Sequence, residues 1–455
     1  EKNSIKRKML RRLILFVAAF IITDMATKAQ IIGNDITVSV TPDHADWTYR
    51  TGETIRFNVC VAKSGVPLPD AKVTLASGPE WYADKVSETT LAKGTTTVTA
   101  EMKQPGFYKL KATAHVGGRD YEAWCSVGVS PERIRPVAQC PEDFDSFWKQ
   151  TADEARRTPL EPQFTFLPER SNAEVLTYHV SFQNDRPGRR VYGILNVPAR
   201  PGRYPALLRV PGAGVRPYTG DEWTCRQGVI VLEIGVHGIP VTEPQTYYDR
   251  LFTAALADYW HNGIHDRQRN YYRHVITGCL RAIDFIAALE DLAPLHTMAG
   301  TAWDGGNLAV TGSSQGGFLT LATTALDNRV SCYGAVHAAL CDLEAATKRQ
   351  PCGWPHYFYD EGKGKPKDNI DRHLVEELRY YDGVNFARRI HVPGFFSFGY
   401  NDNVVPPTTA YGTYNIAGGE KTLSPYPITA HFWHQEQWDE WQAFLLRHLL
   451  HTTSK

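Results

Sequence analysis

The stretch GSSQG at residues 312–316 fits the pattern G-x-S-x-G, in which the central serine can act as a nucleophile. That chemistry requires a buried strand before the serine and a helix after it, because the sharp turn between them exposes the hydroxyl at the end of a sheet. The run NLAVT (307–311) is strand-like, and GFLTLA (317–322) begins a helix-like run. This context predicts that Ser314 is a nucleophile, against the alternative of a glycine-rich structural turn.

A nucleophilic serine needs a base that accepts its proton and an acid that orients the base. In one known chain order the serine comes first, then the acid, then a histidine. Asp402 follows the strand-like run VPGFFSFG and precedes two prolines, a position that suits the acid, although a turn-capping aspartate is the alternative. At the end of the next strand-like run, LSPYPITAH, His431 and His434 compete for the role of base. We favour His431, which ends that run directly, and keep His434 as the alternative.

Acyl transfer also needs two N–H donors for the developing oxyanion. One donor is usually the residue after the nucleophile, and the other comes from a loop that follows an earlier strand. Gln315 and Ala213 meet these two descriptions. Gly212 and Gly214 flank Ala213 and allow the backbone to approach a substrate closely.

The sequence gives little support to a metal site or a cofactor. His261 and His265 are four residues apart, but no glutamate stands in the HExxH position and an Asn-Gly pair between them weakens a helix. None of the eight cysteines forms a CxxC pair, so a structural zinc site is not expected. In an exported chain cysteines can form disulfides, and Cys60 with Cys125 is the first pair to consider. We predict no metal and no cofactor.

The elements that must position these residues change character along the chain. Residues 30–130 contain short alternating strand-like runs separated by turn signals, which predicts an immunoglobulin-like β-sandwich. The runs are ITVSV, TIRFNVCVA, AKVTLAS, TTTVTAEM, FYKLKATAHV and YEAWCSVGV. Residues 131–142 are a proline-containing linker. In residues 143–455 strand-like runs alternate with helical stretches, the first of them near 143–155, which predicts an α/β domain with a mainly parallel sheet.

The N-terminus and the charge balance restrict location and partners. Residues 1–29 have basic residues, then an apolar run of about ten residues, then small residues, the order of a secretory signal peptide. That run is too short for a stable membrane span, so we expect an exported protein, periplasmic or extracellular. The 49 basic and 49 acidic residues give a formal net charge of zero, which argues against a nucleic-acid partner.

Motifs spread over most of residues 140–450 resemble the acetyl xylan esterase and cephalosporin C deacetylase family of carbohydrate esterases. They are PEDFDSFW, NYYRHVITGCLRAIDF, GSSQGG, YYDGVNFARRIHVPGFFSFGYNDNVVPPTTAYGTYN and AGGEKTLSPYPITAH. The resemblance implies an α/β-hydrolase fold and the removal of short acyl groups, typically acetyl, from sugar hydroxyls. It places Ser314, Asp402 and His431 on the family's nucleophile, acid and histidine.

The chain also departs from the family. The family's arginine-glycine-glutamine signature is replaced by EIGVHG (233–238), an aromatic residue usual in the oxyanion loop is replaced by Ala213, and Phe432 stands where glutamate follows the histidine. The N-terminal module lies outside the resemblance and could obstruct the family's ring-like homo-oligomer.

The function predicted is therefore that of a secreted serine esterase acting on carbohydrate such as acetylated xylan or xylo-oligosaccharides. Two alternatives stay open. One is a serine peptidase of the prolyl-oligopeptidase kind, which normally carries a much larger propeller domain. The other is a glycan-binding protein with a silent hydrolase scaffold.

Overall fold

The computed structural model describes residues 35–292 and 300–450, so the predicted signal peptide lies outside the described residues. The first part of this range consists of nine strands in two sheets. They are β1 (Ile36–Pro42), β2 (Thr48–Tyr49), β3 (Thr54–Lys63), β4 (Val66–Pro67), β5 (Ala71–Pro79), β6 (Lys85–Leu91), β7 (Thr95–Glu101), β8 (Gly106–Val116) and β9 (Arg119–Val129). One sheet has the order β1-β3-β4 with β7 also paired to β3, and the other has the order β2-β9-β8-β5-β6.

The two N-terminal sheets enclose one hydrophobic core, because alternate residues of each strand point inward. On β3, Val59 and Val61 are buried, and Cys60 between them faces away from the core. Cys125 on β9 is fully buried. The suggested Cys60–Cys125 disulfide is therefore wrong: the two side chains lie on different sides of a sheet, and both are free thiols.

The second part is built on a nine-stranded sheet. Its strands are β10 (Gln163–Phe166), β11 (Val175–Gln183), β12 (Arg190–Pro198), β13 (Gly202–Arg209), β14 (Ile230–Gly235), β15 (Thr301–Ser313), β16 (Cys332–Val336), β19 (Gly394–Gly399) and β20 (Lys421–Tyr426); β17 (Tyr359–Asp360) and β18 (Lys365–Pro366) form a separate small hairpin. The sheet order is β10-β11-β12-β14-β13-β15-β16-β19-β20. Pairing is antiparallel up to β14 and parallel from β14 to β20. The mainly parallel sheet expected from the sequence is therefore present.

Helices cover the faces of this sheet. They are α1 (Phe144–Arg156), α2 (Glu222–Arg226), α3 (Gln245–Phe252), α4 (Tyr271–Ala287), α5 (Leu289–Leu292), α6 (Gln315–Leu326), α7 (Arg372–Leu378), α8 (Gly383–Ala387), α9 (Pro407–Ile416) and α10 (Gln435–Leu450). The predicted first helix is α1, and its apolar stripe of Phe144, Phe147 and Trp148 is buried. Within the described ranges no helix is long and apolar enough to cross a membrane.

The two parts of the chain pack directly on each other. The ring of Trp81, just after β5, lies 4.4 Å from that of Tyr359, and Phe107 on β8 lies 4.9 Å from Tyr400. Tyr400 directly follows the parallel strand β19, and Tyr359 lies in the small hairpin of the connection between β16 and β19. The N-terminal sheets thus contact the edge of the large sheet at which functional residues collect in open α/β folds.

Candidate active site

Ser314 occupies a strained turn between β15 and α6. Its backbone φ is 59° and ψ is −123°, a conformation that non-glycine residues rarely adopt. A Cβ atom on Gly312 or on Gly316 would lie 2.5 Å from the carbonyl oxygen of Val210. Both glycines are therefore required because the end of the neighbouring strand β13 lies too close for a side chain. This is the arrangement expected of a nucleophile elbow.

The structure brings three of the predicted side chains together. His431 Nε2 lies 3.0 Å from Ser314 Oγ, and His431 Nδ1 lies 2.7 Å from Asp402 Oδ2. This network fits a histidine that carries its proton on Nδ1 and accepts the serine proton on Nε2. The carboxylate of Asp402 is fully buried and the imidazole of His431 is 24% exposed. The imidazole can thus meet a substrate while the carboxylate is shielded from water.

The acid is held by its own loop. Asp402 Oδ1 accepts hydrogen bonds from the N–H groups of Val404 and Val405, at 2.8 and 2.9 Å. With Oδ2 turned to His431, both carboxylate oxygens are engaged. A carboxylate whose two oxygens are both engaged is held in one orientation.

Asn401, next to the acid, links three segments. Its backbone N–H donates to Thr429 O at 3.1 Å, and its Nδ2 donates to Pro427 O at 3.3 Å and Ile428 O at 3.4 Å. Its Oδ1 accepts the N–H of Ser126 from β9 at 2.9 Å. The loop before His431 is thereby attached both to the acid loop and to the N-terminal sheets. Residues 427–430 form a turn, so the predicted strand LSPYPITAH was too long: β20 ends at Tyr426.

His434 takes no part in this cluster. Its backbone N–H donates to Gln437 Oε1 at 3.3 Å, and its ring lies 5.3 Å from that of Phe432 and 6.2 Å from that of Tyr426. The structure therefore places His434 just before α10 as a packing residue, and it brings His431 to the serine.

The two predicted oxyanion donors lie on neighbouring segments. Gln315 opens α6, so its N–H belongs to the first turn, whose donors lack intrahelical partners. The loop that carries Ala213 follows β13, and its Pro211 contacts the helix start, because Gln315 Nε2 donates to Pro211 O at 3.4 Å. Within this loop the N–H of Gly214 donates to Tyr259 Oη at 3.3 Å, so it is already used. These positions are compatible with Gln315 and Ala213 as donors.

Sequence reasoning missed the side chains that support the oxyanion loop. Tyr259 Oη donates to Gln315 Oε1 at 2.5 Å, and Tyr272 Oη donates to the same atom at 3.0 Å. His237 Nε2 lies 2.9 Å from Gly214 O, and its Nδ1 lies 2.7 Å from Tyr271 Oη. The available signal was the polar, aromatic-rich run around residues 259–274 just before the elbow.

A second histidine, also missed, packs against the base. The ring of His337, directly after β16, lies 4.4 Å from that of His431, and its buried Nδ1 has no partner among the described residues. Burial and the neighbouring His431 hold the pKa of His337 well below its usual range. His337 is therefore an uncharged wall of the site and does not compete for the serine proton.

The same residues form the one candidate metal cluster within residues 35–292 and 300–450. Ligand atoms of His337, Asp402 and His431 lie within 4.8 Å of one another. His431 Nδ1 already lies 2.7 Å from Asp402 Oδ2 and His431 Nε2 lies 3.0 Å from Ser314 Oγ, so a His431 nitrogen that binds an ion would have to give up one of these two contacts. Histidines 261 and 265 do not share a helix face, because a three-residue 3₁₀ helix, Tyr259–His261, is followed by turns.

This geometry supports nucleophilic acyl transfer. A hydroxyl, an imidazole and a buried carboxylate are hydrogen-bonded in series, and a helix N-terminus lies beside the hydroxyl. The positive end of the helix dipole and the free N–H groups favour an oxyanion at that point.

Comparison with known proteins identifies the family of the chain. Residues 132–448 match the family model for acetyl xylan esterase, AXE1. The acetyl esterase Axe7A of Xylanibacter ruminicola is 33% identical over 438 residues, which cover 95% of this chain and 94% of the relative.

Solved structures give the same answer for the fold. An acetyl xylan esterase from Paenibacillus sp. R4 aligns with a TM-score of 0.58 and 25% identity, over 70% of this chain and 98% of that one. Acetyl Xylan Esterase 1 from Thermoanaerobacterium sp. JW/SL YS485 aligns with a TM-score of 0.53 and 23% identity, over 70% and 97%. The C-terminal part has the α/β-hydrolase fold, as predicted. The chain belongs to the acetyl xylan esterase (AXE1) family and is a carboxylic ester hydrolase.

Proposed function

We propose that this protein removes acetyl groups from the hydroxyls of xylan or xylo-oligosaccharides through an acetyl-enzyme intermediate on Ser314. The observation that carries the proposal is the series Ser314 Oγ, His431, Asp402, with contacts of 3.0 and 2.7 Å, in a chain of the acetyl xylan esterase family. The relative Axe7A, described as an acetyl esterase, supports acetyl as the acyl group.

The first half of the reaction forms the acetyl-enzyme. Ser314 Oγ attacks the acetyl carbonyl carbon while its proton passes to His431 Nε2. The N–H groups of Gln315 and Ala213 receive the oxyanion. When the tetrahedral intermediate collapses, the bond to the sugar oxygen breaks, and that oxygen takes the proton from His431.

The second half releases acetate. A water molecule gives a proton to His431 Nε2 and attacks the acetyl-serine carbonyl, and the bond to Ser314 Oγ then breaks as Oγ takes the proton back. Throughout, Asp402 holds the imidazole with its proton on Nδ1 and stabilises the imidazolium. The proposed reaction uses the side chains of Ser314, His431 and Asp402, two backbone N–H donors and water.

We also infer export and a separate N-terminal domain from the first part of the chain. The signal-like N-terminus supports export, which fits a polymeric substrate that cells meet outside the cytoplasm. The two N-terminal sheets, with their shared core and the β-hairpin of β8 and β9, support an immunoglobulin-like sandwich as a separate domain ahead of the hydrolase.

The test is acetate release from acetylated xylan by the wild type, Ser314→Ala and Ser313→Ala. The neighbouring serine is a matched control, since it carries the same hydroxyl one residue away. We expect release by the wild type and by Ser313→Ala, and loss of nearly all release in Ser314→Ala with an unchanged melting temperature. Substantial release by Ser314→Ala would disprove the nucleophile; no release by the wild type would disprove the substrate.

A further inference from the structure

We propose that the cleft between the N-terminal sheets and the hydrolase is a subsite for a neutral xylan chain, distinct from the Ser314 site and adjacent to it. The cleft has a volume of about 630 Å³ and is lined by residues from both parts of the chain. This lies within the roughly 300–1,000 Å³ typical of small-molecule sites, which often occur where domains meet. The proposal rests on the proposed function for the choice of sugar.

Aromatic rings form the walls of the cleft. Trp81, from the N-terminal part, lies 4.4 Å from Tyr359 and 4.9 Å from His356, both of the hydrolase. Trp354 completes the lining, and Trp81, Trp354 and Tyr359 are each partly exposed. Flat apolar surfaces beside polar groups suit a pyranose ring, which has C–H faces and hydroxyl edges.

The cleft continues into the loop that carries the acid. Asn403 and Val404, which directly follow Asp402, line it. Val404 O accepts the N–H of Trp354 at 3.2 Å and lies 2.9 Å from His356 Nε2. A polymer bound in the cleft would therefore lie next to the catalytic loop, where a neighbouring sugar can present its acetyl group.

The same wall is also connected to the nucleophile. Trp354 O accepts the N–H of Leu340 at 2.8 Å, and Ala339, one residue earlier, donates its N–H to Ser314 O at 3.0 Å. Only two backbone hydrogen bonds and one peptide step separate the aromatic wall from the serine. Binding in the cleft thus lies close to the chemistry, and not on a remote face of the N-terminal sheets.

The charges of the lining favour a neutral ligand. Two lysines, Lys109 and Lys111, are accompanied by two carboxylates, Glu361 in the lining and Glu122 beside Lys111, whereas burial raises the pKa of the lining residue Glu80 to about 7. Each lysine already has a polar partner: Lys109 Nζ donates to Asn403 Oδ1 at 2.7 Å, and Lys111 Nζ lies 2.7 Å from a Glu122 carboxylate oxygen. Such a lining offers hydrogen bonds to hydroxyls without a net charge that would select an anion.

The test uses one variant that fills the cleft and one that removes a wall of it. Ala83 lines the cleft and is exposed, so Ala83→Trp adds bulk there at little risk to folding. Ala92 is an exposed alanine in the turn between β6 and β7, outside the cleft, and Ala92→Trp is the matched control. Trp81→Ala, which removes one wall, is the second cleft variant.

Binding of xylotetraose, which has no ester, is measured by isothermal titration calorimetry. We expect binding by the wild type and by Ala92→Trp, weakened about tenfold or more in Ala83→Trp and in Trp81→Ala. Equal affinity in Ala83→Trp and Ala92→Trp would overturn the subsite, as would no binding by the wild type. Binding of cellotetraose but not of xylotetraose would overturn the choice of sugar.

Kinetics separate this proposal from the function itself. Ala83→Trp should raise KM for acetylated xylo-oligosaccharides about tenfold and leave turnover of p-nitrophenyl acetate as it is in Ala92→Trp. If the wild type releases no acetate from any acetylated xylan substrate, the proposed function fails, and calorimetry with xylotetraose still decides the subsite. An equal loss on both substrates would contradict the subsite, because it would indicate damage to the catalytic residues.

Discussion

Replacing Asn401 with alanine tests whether the N-terminal sheets help to position the catalytic residues. Asn401 is 7% exposed, and its side chain makes three hydrogen bonds: one from Ser126 of β9 and two to carbonyls of the loop before His431. Asp402 is the next residue in the chain. The substitution would therefore loosen the acid loop, the histidine loop and their attachment to the N-terminal sheets together.

The magnitude follows from these contacts. The two bonds at 3.3 and 3.4 Å are long, so each contributes near the lower end of the roughly 0.5–1.5 kcal/mol typical of a hydrogen bond. The N–H of Ser126, which is buried, would lose its acceptor, at about 1–3 kcal/mol. We expect the free energy of unfolding to fall by about 2–4 kcal/mol. We also expect kcat to fall by about 10- to 100-fold, since small misplacements of a catalytic group have effects of that size.

The control is a second buried asparagine. Asn196, on β12, accepts the N–H of Asp221 at 2.8 Å and donates to Thr177 Oγ1 at 2.9 Å, and β12 carries none of the site residues. Urea unfolding and turnover of p-nitrophenyl acetate are measured for both alanine variants. Both should lose stability, and only Asn401→Ala should lose kcat in the folded protein. A normal kcat in Asn401→Ala, or an equal loss of kcat in Asn196→Ala, would show that Asn401 has no specific part in positioning Asp402 and His431.

Three further changes have defined outcomes. Tyr259→Phe removes the hydroxyl that joins Gly214 to Gln315. We expect kcat on p-nitrophenyl acetate to fall about tenfold with little change in KM. An unchanged kcat would show that the hydroxyl is not needed to support the loop. Gly316→Ala puts a Cβ 2.5 Å from the backbone oxygen of Val210, which cannot move alone. The free energy of unfolding measured in urea should therefore fall by about 1–3 kcal/mol or more. Wild-type stability would contradict the close packing of the turn at Ser314.

Glu80→Gln concerns the pH dependence of stability. Burial raises the pKa of Glu80 to about 7 from an ordinary 4.5. Between those values the folded chain keeps a proton that the unfolded chain releases, so the contribution of Glu80 to stability falls as the pH rises. The glutamine variant should gain stability over the wild type across that range, up to about 3 kcal/mol above pH 7. Parallel urea-stability curves from pH 4 to 8 would contradict this.

Most of the strands and helices could be predicted because their periodicity is strong. Alternation in the run TIRFNVCVA identified β3, and the spacing of Phe144, Phe147 and Trp148 identified α1. Strand β6 (Lys85–Leu91) was missed because six of its seven residues are exposed, so its sequence lacks the alternation that marks a half-buried strand. Cys60 with Cys125 was the first disulfide pair to consider because both residues lie in the N-terminal strand region. The bond is excluded because the two side chains point in different directions, which the local sequence did not reveal.

The predicted nucleophile, acid and base could be selected because parallel strands bring their carboxyl ends to one edge. Ser314, Asp402 and His431 each follow such a strand within a few residues. The residues that support them could not be selected in this way. The supporting contacts join segments that are far apart in the chain, as for Tyr259, Asn401 and His337. The local sequence around these residues has no spacing from which their partners could be predicted.

In the proposed reaction, Ser314 is acylated by the acetyl group of a carbohydrate ester. The most direct measurement is mass spectrometry of the intact protein, quenched in acid within the first turnovers on acetylated xylo-oligosaccharide. We expect one added acetyl group, found on the peptide that contains Ser314 and missing in Ser314→Ala but present in Ser313→Ala. Acetate release without an acetyl group on Ser314, or release that survives in Ser314→Ala, would contradict it.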